Sequence, residues 1–157
     1  MKKITIVDYG SGNVLSAQKS FIKIAKDNNI KANVLISKNL DDIKNSTHLV
    51  LPGQGAFSTC MSGIKNTPGL ADELYEFAII KKRPFLGICV GMQMLANESE
   101  EKGQHKGLGW IEGRIKSIPN KNIKLPHMGW NTVHQTFDHH IFKGIDQGSY
   151  FYFVHSY

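Results

Sequence analysis

The sequence is poor in cysteine and arginine and has no long apolar run. Cys60 and Cys89 are the only cysteines among 157 residues, too few for the disulfide framework of a small secreted domain. Arg83 and Arg114 are the only arginines, and lysine supplies the rest of the positive charge behind the net +6. Base edges and phosphates are read largely through arginine's bidentate fork. No lysine block is interleaved with aromatics, so the basic balance reads as a solvated surface and not as a nucleic-acid site. No stretch approaches the roughly 20 apolar residues needed to span a bilayer. Asp8 interrupts the first apolar run too early for a signal peptide. These absences point to a cytoplasmic chain with neither nucleic acid nor membrane as partner. Repeats, low-complexity tracts and linkers are also missing, so residues 1–157 are expected to form one domain. A composition that is 41% hydrophobic and 20% charged suits a globular core.

What is present alternates between strand and helix signals. Ile4 to Val7 reads as a short buried strand, followed by a turn at Tyr9-Gly10-Ser11-Gly12-Asn13. Val14, Ala17, Phe21 and Ile24 then recur at helical spacing, with Lys19, Lys23 and Lys26 off that stripe and Asn28-Asn29 as the stop. Ala32 to Ile36 is a second strand, Asn39 to Ile43 a short helix, and Thr47 to Leu51 a third strand entering Pro52-Gly53-Gln54-Gly55. A short helix over residues 56–65 carries Cys60. Pro68 suits the first turn of another, with Leu70, Leu74, Phe77 and Ala78 as its apolar stripe. Such alternation predicts βαβ units and a parallel sheet, whose functional groups gather beyond the carboxyl ends of the strands. Met94 and Leu95 are expected to prolong the helix after Cys89 until Glu98–Gly103 end it. From Leu108 onward the pattern turns to strands: 108–118, 129–134 and 150–157.

The stretch Pro84 to Gln93 is the one around which the rest is arranged. An apolar run leads to Gly87-Ile88-Cys89-Val90-Gly91, the thiol counterpart of the nucleophile elbow, in which a strand turns sharply into a helix. Glycines on both sides suit a turn that crowds its neighbours or needs backbone angles a side chain forbids. The turn would lift the sulfur off the sheet to a helix N-terminus, where unpaired N–H groups favour thiolate. Taken alone, the pentapeptide fits a buried structural cysteine beside a turn better than it fits a nucleophile.

The other motifs are weak singly. Gly10-Ser11-Gly12 starts like a dinucleotide fingerprint, but Leu15 stands where the third glycine belongs, so it is a plain turn. Pro52–Gly55 gains meaning beside Cys89: a thiolate attacking a carbonyl creates an oxyanion that needs two fixed donors. One would be the N–H of Val90 and the other would come from a neighbouring glycine-rich loop. Gln93 lies one helical turn after Cys89, on the same face. His134, His139 and His140 match no metal-ligand spacing and have no cysteine among them. No metal or other cofactor is expected.

Three segments make the pattern specific: Cys89 with Pro52–Gly55, Pro126-His127-Met128-Gly129-Trp130-Asn131, and Tyr152-Phe153-Val154-His155-Ser156-Tyr157. Together they resemble the class I, triad-type glutamine amidotransferases, and within them the glutaminase subunits of imidazole glycerol phosphate synthase. The likeness runs from Asp8 to Tyr157. It implies a flavodoxin-like α/β fold, a mostly parallel sheet flanked by helices, with extra antiparallel strands in the C-terminal part. It implies hydrolysis of glutamine to glutamate and ammonia, and passage of the ammonia to a (β/α)₈-barrel cyclase subunit that makes imidazole glycerol phosphate in histidine biosynthesis. Carried over by motif, Cys89 is the nucleophile that forms a glutamyl thioester. Val90 and the Gly53-Gln54 peptide supply the oxyanion donors. Gly55, Gln93, Glu101, His155, Ser156 and Tyr157 line the glutamine site, and His127, Trp130, Asn131 and Tyr152 border the partner.

The departure from the family pattern is its His-Pro-Glu base: none of the seven histidines is followed by proline. The expectation is a chain lacking the family's C-terminal segment and inactive even with its partner. Two other readings share the elbow: a relative that only binds the partner, and a cysteine hydrolase of another kind on the same fold. The 126–131 segment argues against the hydrolase, which has no use for a docking surface.

Overall fold

The computed structural model describes residues 1–119 and 124–157 and divides them into two units, Met1–Lys116 and Ser117–Tyr157. In the first, β1 (Lys2–Val7) is flanked by β2 (Ala32–Ser37) and β3 (His48–Gly53), and β4 (Phe85–Cys89) lies beyond β3. All these pairings are parallel, with Ile4 beside Val34 and His48, and Gly53 beside Cys89. Parallel sheets are covered on both faces, and here alternation along the strands serves two cores. Ile4, Ile6 and Val50 point to α1 (Val14–Asp27) and meet Val14, Ala17 and Phe21. Val7, Leu49 and Leu51 point the other way. They join Ile43 from α2 (Leu40–Lys44), Phe57, Cys60 and Ile64 from α3 (Phe57–Lys65), and Leu70 and Leu74 from α4 (Leu70–Tyr75).

Local chemistry sets the helix ends. Asn13 Oδ1 accepts from Ser16 N at 3.1 Å and Asn39 Oδ1 from Asp41 N at 2.8 Å, each satisfying an N–H with no partner inside its helix. Asn28 closes α1 and Asn29 turns away at φ 53°. Ile24 departs from the expected stripe and is 58% exposed. Pro68 stands ahead of α4 and not inside it, the left-handed Gly69 opening the helix instead. After Tyr75 the coil widens through Glu76–Ile80, closing with Lys81 N on Glu76 O at 2.9 Å. Phe77 stays fully buried there.

The helix after Cys89 is shorter than the sequence suggests. The structure has a single turn, α5 (Val90–Gln93), and then the strand β5 (Ala96–Ser99) in place of a helix running to Glu98. The reason lies in the backbone: Leu108 N takes the carbonyl of Met94, Trp110 N and Ile111 N that of Leu95, and Gly109 N that of Ala96. Those carbonyls would have served a longer helix. β5 pairs antiparallel with β6 (His105–Lys106) and parallel with β7 (Ile111–Ile115).

In the second unit, β8 (His127–Val133) and β9 (Ser149–His155) form an antiparallel pair with His127 opposite His155 and Trp130 opposite Tyr152. The expected flavodoxin-like α/β architecture with added C-terminal strands is therefore present. Among the described residues no helix is long and apolar enough to cross a membrane.

The burial pattern gives a stability contrast. Ile64→Ala, at a fully buried site, should cost about 2–5 kcal/mol. Ile24→Ala should stay within about 0.5 kcal/mol. Urea unfolding of the two variants checks it; equal losses would contradict the packing described.

Candidate active site

The carboxyl ends of β1, β3 and β4 lie along one edge of the parallel sheet; the chain leaves β1 and β3 through glycine-containing loops and β4 straight into a helical turn. Cys89 ends β4 and precedes α5 directly. Its backbone sits at φ 55°, ψ −121°, outside the regions open to ordinary side chains. Holding a non-glycine residue there costs on the order of 1–3 kcal/mol and persists only where the surroundings enforce it. The side chain is exposed, whereas Cys60 is fully buried.

The neighbouring glycines serve close approach. Neither Gly87 nor Gly91 has a positive φ; the strained angle belongs to the cysteine itself. A Cβ on Gly91 would lie 1.8 Å from the Leu51 carbonyl oxygen, and one on Gly53 would lie 2.4 Å from Gly91 N. A Cβ on Gly87 would fall 2.7 Å from Met92 Cα. Thus α5 rests backbone to backbone on the end of β3. This packing, with Gly53 in register with Cys89, brings Gly53 and Gln54 beside Cys89 and Val90.

The loop that follows Gly53 is held from several sides. The Tyr9 hydroxyl donates to the Pro52 carbonyl at 2.6 Å in a buried contact. Cys60 Sγ donates to the Gln54 carbonyl at 3.5 Å. Glu101 Oε2 accepts from Phe57 N at 2.8 Å, at the first turn of α3. Burial, and then the adjacent Cys60 and Cys89 thiols, push the Tyr9 phenol far above its usual range, so it remains a hydroxyl donor at any working pH. Glu101 is itself steadied by Ser99, whose Oγ accepts from Glu101 N at 3.2 Å. Gln93 is half-buried near the end of α5.

Sequence reasoning missed Tyr9 and Cys60 as parts of this site. The one available signal was a tyrosine at the carboxyl end of β1 beside the glycine turn. Nothing in the spacing announced Cys60 as a neighbour of Gln54.

The remaining candidate residues belong to the second unit. His127 Nδ1 and His155 Nε2 are 2.9 Å apart, and His155 Nδ1 lies 3.1 Å from the Tyr157 carbonyl oxygen, to which it donates. That bond leaves Nε2 to accept from His127 Nδ1. His127 stacks on Phe153 at 5.3 Å between ring centroids. Ser156 O accepts from Ile118 N. Strand alternation puts Trp130 and Tyr152 on the opposite face of the hairpin from His127 and Asn131. Those two rings meet edge to face at 5.6 Å and are 70% and 54% exposed. Among the described residues no three His, Cys, Asp or Glu side chains converge as a metal site would require.

Comparison with known proteins finds a family match and several similar proteins. The sequence model of the family described as "Glutamine amidotransferase class-I" matches residues 5–157. The "Imidazole glycerol phosphate synthase subunit HisH" of Rhodospirillum rubrum is 42% identical over 99% of this chain and 74% of its own length. The protein of the same name from Pelagibacter ubique is 46% identical over 98% of this chain and 74% of its own. That from Brucella abortus is 40% identical over 99% and 74%.

Two measurements test the elbow. Iodoacetamide should label Cys89 at least about tenfold faster than Cys60 in the folded protein, because burial shields one thiol and not the other; equal rates would contradict it. Gly91→Ala should destabilise by about 1–3 kcal/mol or more through overpacking against the Leu51 carbonyl, read as a lower urea midpoint.

Proposed function

The chain belongs to the class-I glutamine amidotransferase family, and from that premise we propose how its residues divide the work. It is the amidotransferase, or glutaminase, subunit of an imidazole glycerol phosphate synthase, and releases ammonia from glutamine for histidine biosynthesis in the cytoplasm. Residues 1–157 act as one amidotransferase domain, a reading supported by the family match running through both units. The observation that carries the chemistry is Cys89 at φ 55° with Gly53 in register beside it.

Cys89 attacks the side-chain amide carbon of glutamine. A carbon–sulfur bond forms and the carbonyl π pair moves onto oxygen. Val90 N–H and the Gly53-Gln54 peptide N–H receive that oxyanion, a contribution typically worth about 10²–10³ in rate per donor. Collapse expels the nitrogen as ammonia once a general acid has protonated it, leaving the glutamyl thioester. Water activated by the conjugate base then releases glutamate and the free thiol. The proton carrier in families of this type is the histidine of His-Pro-Glu, a motif that these 157 residues do not contain. Residues 1–157 assayed alone are accordingly expected to turn over glutamine poorly. Gly55, Gln93, Glu101, His155, Ser156 and Tyr157 bind the substrate. Glu101 suits a double duty, since one carboxylate oxygen holds Phe57 N and the other is left for a substrate ammonium.

Ammonia passes to a (β/α)₈-barrel cyclase subunit docked on the hairpin. The exposed Trp130–Tyr152 pair is the anchor, because large rigid aromatics dominate interface energetics. His127 and Asn131 border the partner from the hairpin's other face.

The glutaminase assay uses the chain with whatever residues its gene encodes after Tyr157, together with the cyclase. Cys89→Ala should lower glutamate release by about 10⁴-fold or more; retention of most activity would refute the nucleophile. Trp130→Ala should weaken docking about tenfold to a hundredfold in titration calorimetry with an unchanged far-UV spectrum. Unaltered affinity would move the interface elsewhere.

A further inference from the structure

Tyr9 and Cys60 lie outside the nucleophile and substrate sets, yet both bond the backbone of the loop that carries the second oxyanion donor. We propose that the Tyr9 hydroxyl and the Cys60 thiol are positioning residues: they clamp the carbonyls of Pro52 and Gln54, one on each side of the Gly53-Gln54 peptide, and so hold that peptide's N–H at the oxyanion. The proposal rests on the glutaminase reading above and names what fixes one of its donors.

The geometry is that of a bracket. The Pro52 carbonyl is the last carbonyl before the donor peptide, and Tyr9 reaches it from just beyond β1 at 2.6 Å. The Gln54 carbonyl is the first after it, and Cys60 reaches it from α3 at 3.5 Å. Glu101 anchors the next stretch through Phe57 N at 2.8 Å. Gly53 is held by its place in β3 and its packing on α5, but Gln54 and Gly55 are exposed and Gly55 has no side chain to pack, so past Gly53 the orientation of the donor peptide depends on these bonds. Tyr9 is immobile in turn. It is 5% exposed, and the space beside it is closed by Gly63, where a Cβ would lie 2.6 Å from the Tyr9 carbonyl oxygen. A bracket of this kind matters because oxyanion stabilisation depends on donors already in place when charge develops.

The test uses the chain, with any residues encoded after Tyr157, assembled with its synthase partner. Tyr9→Phe keeps the ring and removes the hydroxyl. It should lower kcat for glutamate release about 10- to 100-fold, less than loss of an oxyanion donor itself, with KM within about twofold. Cys60→Ala should lower kcat by less, about threefold to tenfold, because a thiol is a weak donor, and Cys60→Ser should restore most of it. Alkylation of Cys89 by iodoacetamide displaces iodide at a saturated carbon and builds no oxyanion. Its rate should therefore be unchanged in all three variants. Unchanged kcat in both Tyr9→Phe and Cys60→Ala overturns the proposal, and so does a parallel fall in hydrolysis and alkylation, which would mean general damage to the elbow. Amide NMR signals read the bracket without substrate: those of Gln54 and Gly55 should shift and broaden in Tyr9→Phe while those of His48–Leu51 hold. Unchanged signals overturn the bracket even if the unsubstituted enzyme is active. An inactive unsubstituted enzyme would instead strike the glutaminase reading, leaving the amide signals to decide the bracket.

Discussion

The contact between α5 and the end of β3 is the constraint on which the site depends. Two stretches of backbone touch with no side chain between them, and a Cβ at Gly91 would meet the Leu51 carbonyl oxygen at 1.8 Å. With Gly53 and Gly87 also stripped to hydrogen, the chain can reverse from strand to helix within one residue. The reversal is sharp enough that Cys89 takes the unfavourable angles at its centre. Close packing thus fixes three things together: the exposure of the sulfur, the position of the Val90 amide, and the adjacency of the Gly53-Gln54 peptide.

The fold's first half was legible in the sequence because its signals are local. Short apolar strands, an α1 stripe at helical spacing, and Asn28-Asn29 at its end each report their own element. That the sheet is parallel follows once strands alternate with helices; its order β2-β1-β3-β4 does not, because alternation leaves several orders open. The elbow was legible from the glycines flanking Cys89, although the reason differs in kind: they are small to admit backbone, while the cysteine bears the left-handed angle. The end of α5 was not legible. Its carbonyls are claimed by amides of residues 108–111, and no window of sequence around Met94 contains that competition. Tyr9 and Cys60 were hidden for a similar reason, since each bonds a loop distant along the chain or across a turn.

The hairpin shows how much strand register can add to a motif. Trp130, Asn131 and His127 sit together in the sequence, but a period of two sends them to different faces. One face presents three exposed aromatic rings, Trp130, Tyr150 and Tyr152. The other holds a histidine pair whose tautomers are set by the Tyr157 carbonyl. A linear segment read as a single docking surface is therefore two surfaces back to back, each joined to its own partner residue on β9.

Position 89 also has a thermodynamic consequence. A residue with φ near 55° and ψ near −121° occupies ground where glycine would sit without strain. The native state is thus less stable than its own backbone could be, by on the order of 1 kcal/mol or more. Selection for stability alone would drift toward glycine at this site, and the nucleophilic role proposed for Cys89 opposes it. The strain is a permanent handicap of the fold, tolerated by the rigidity of the glycine contacts around it, and it marks position 89 as the point where folding and function set opposite preferences.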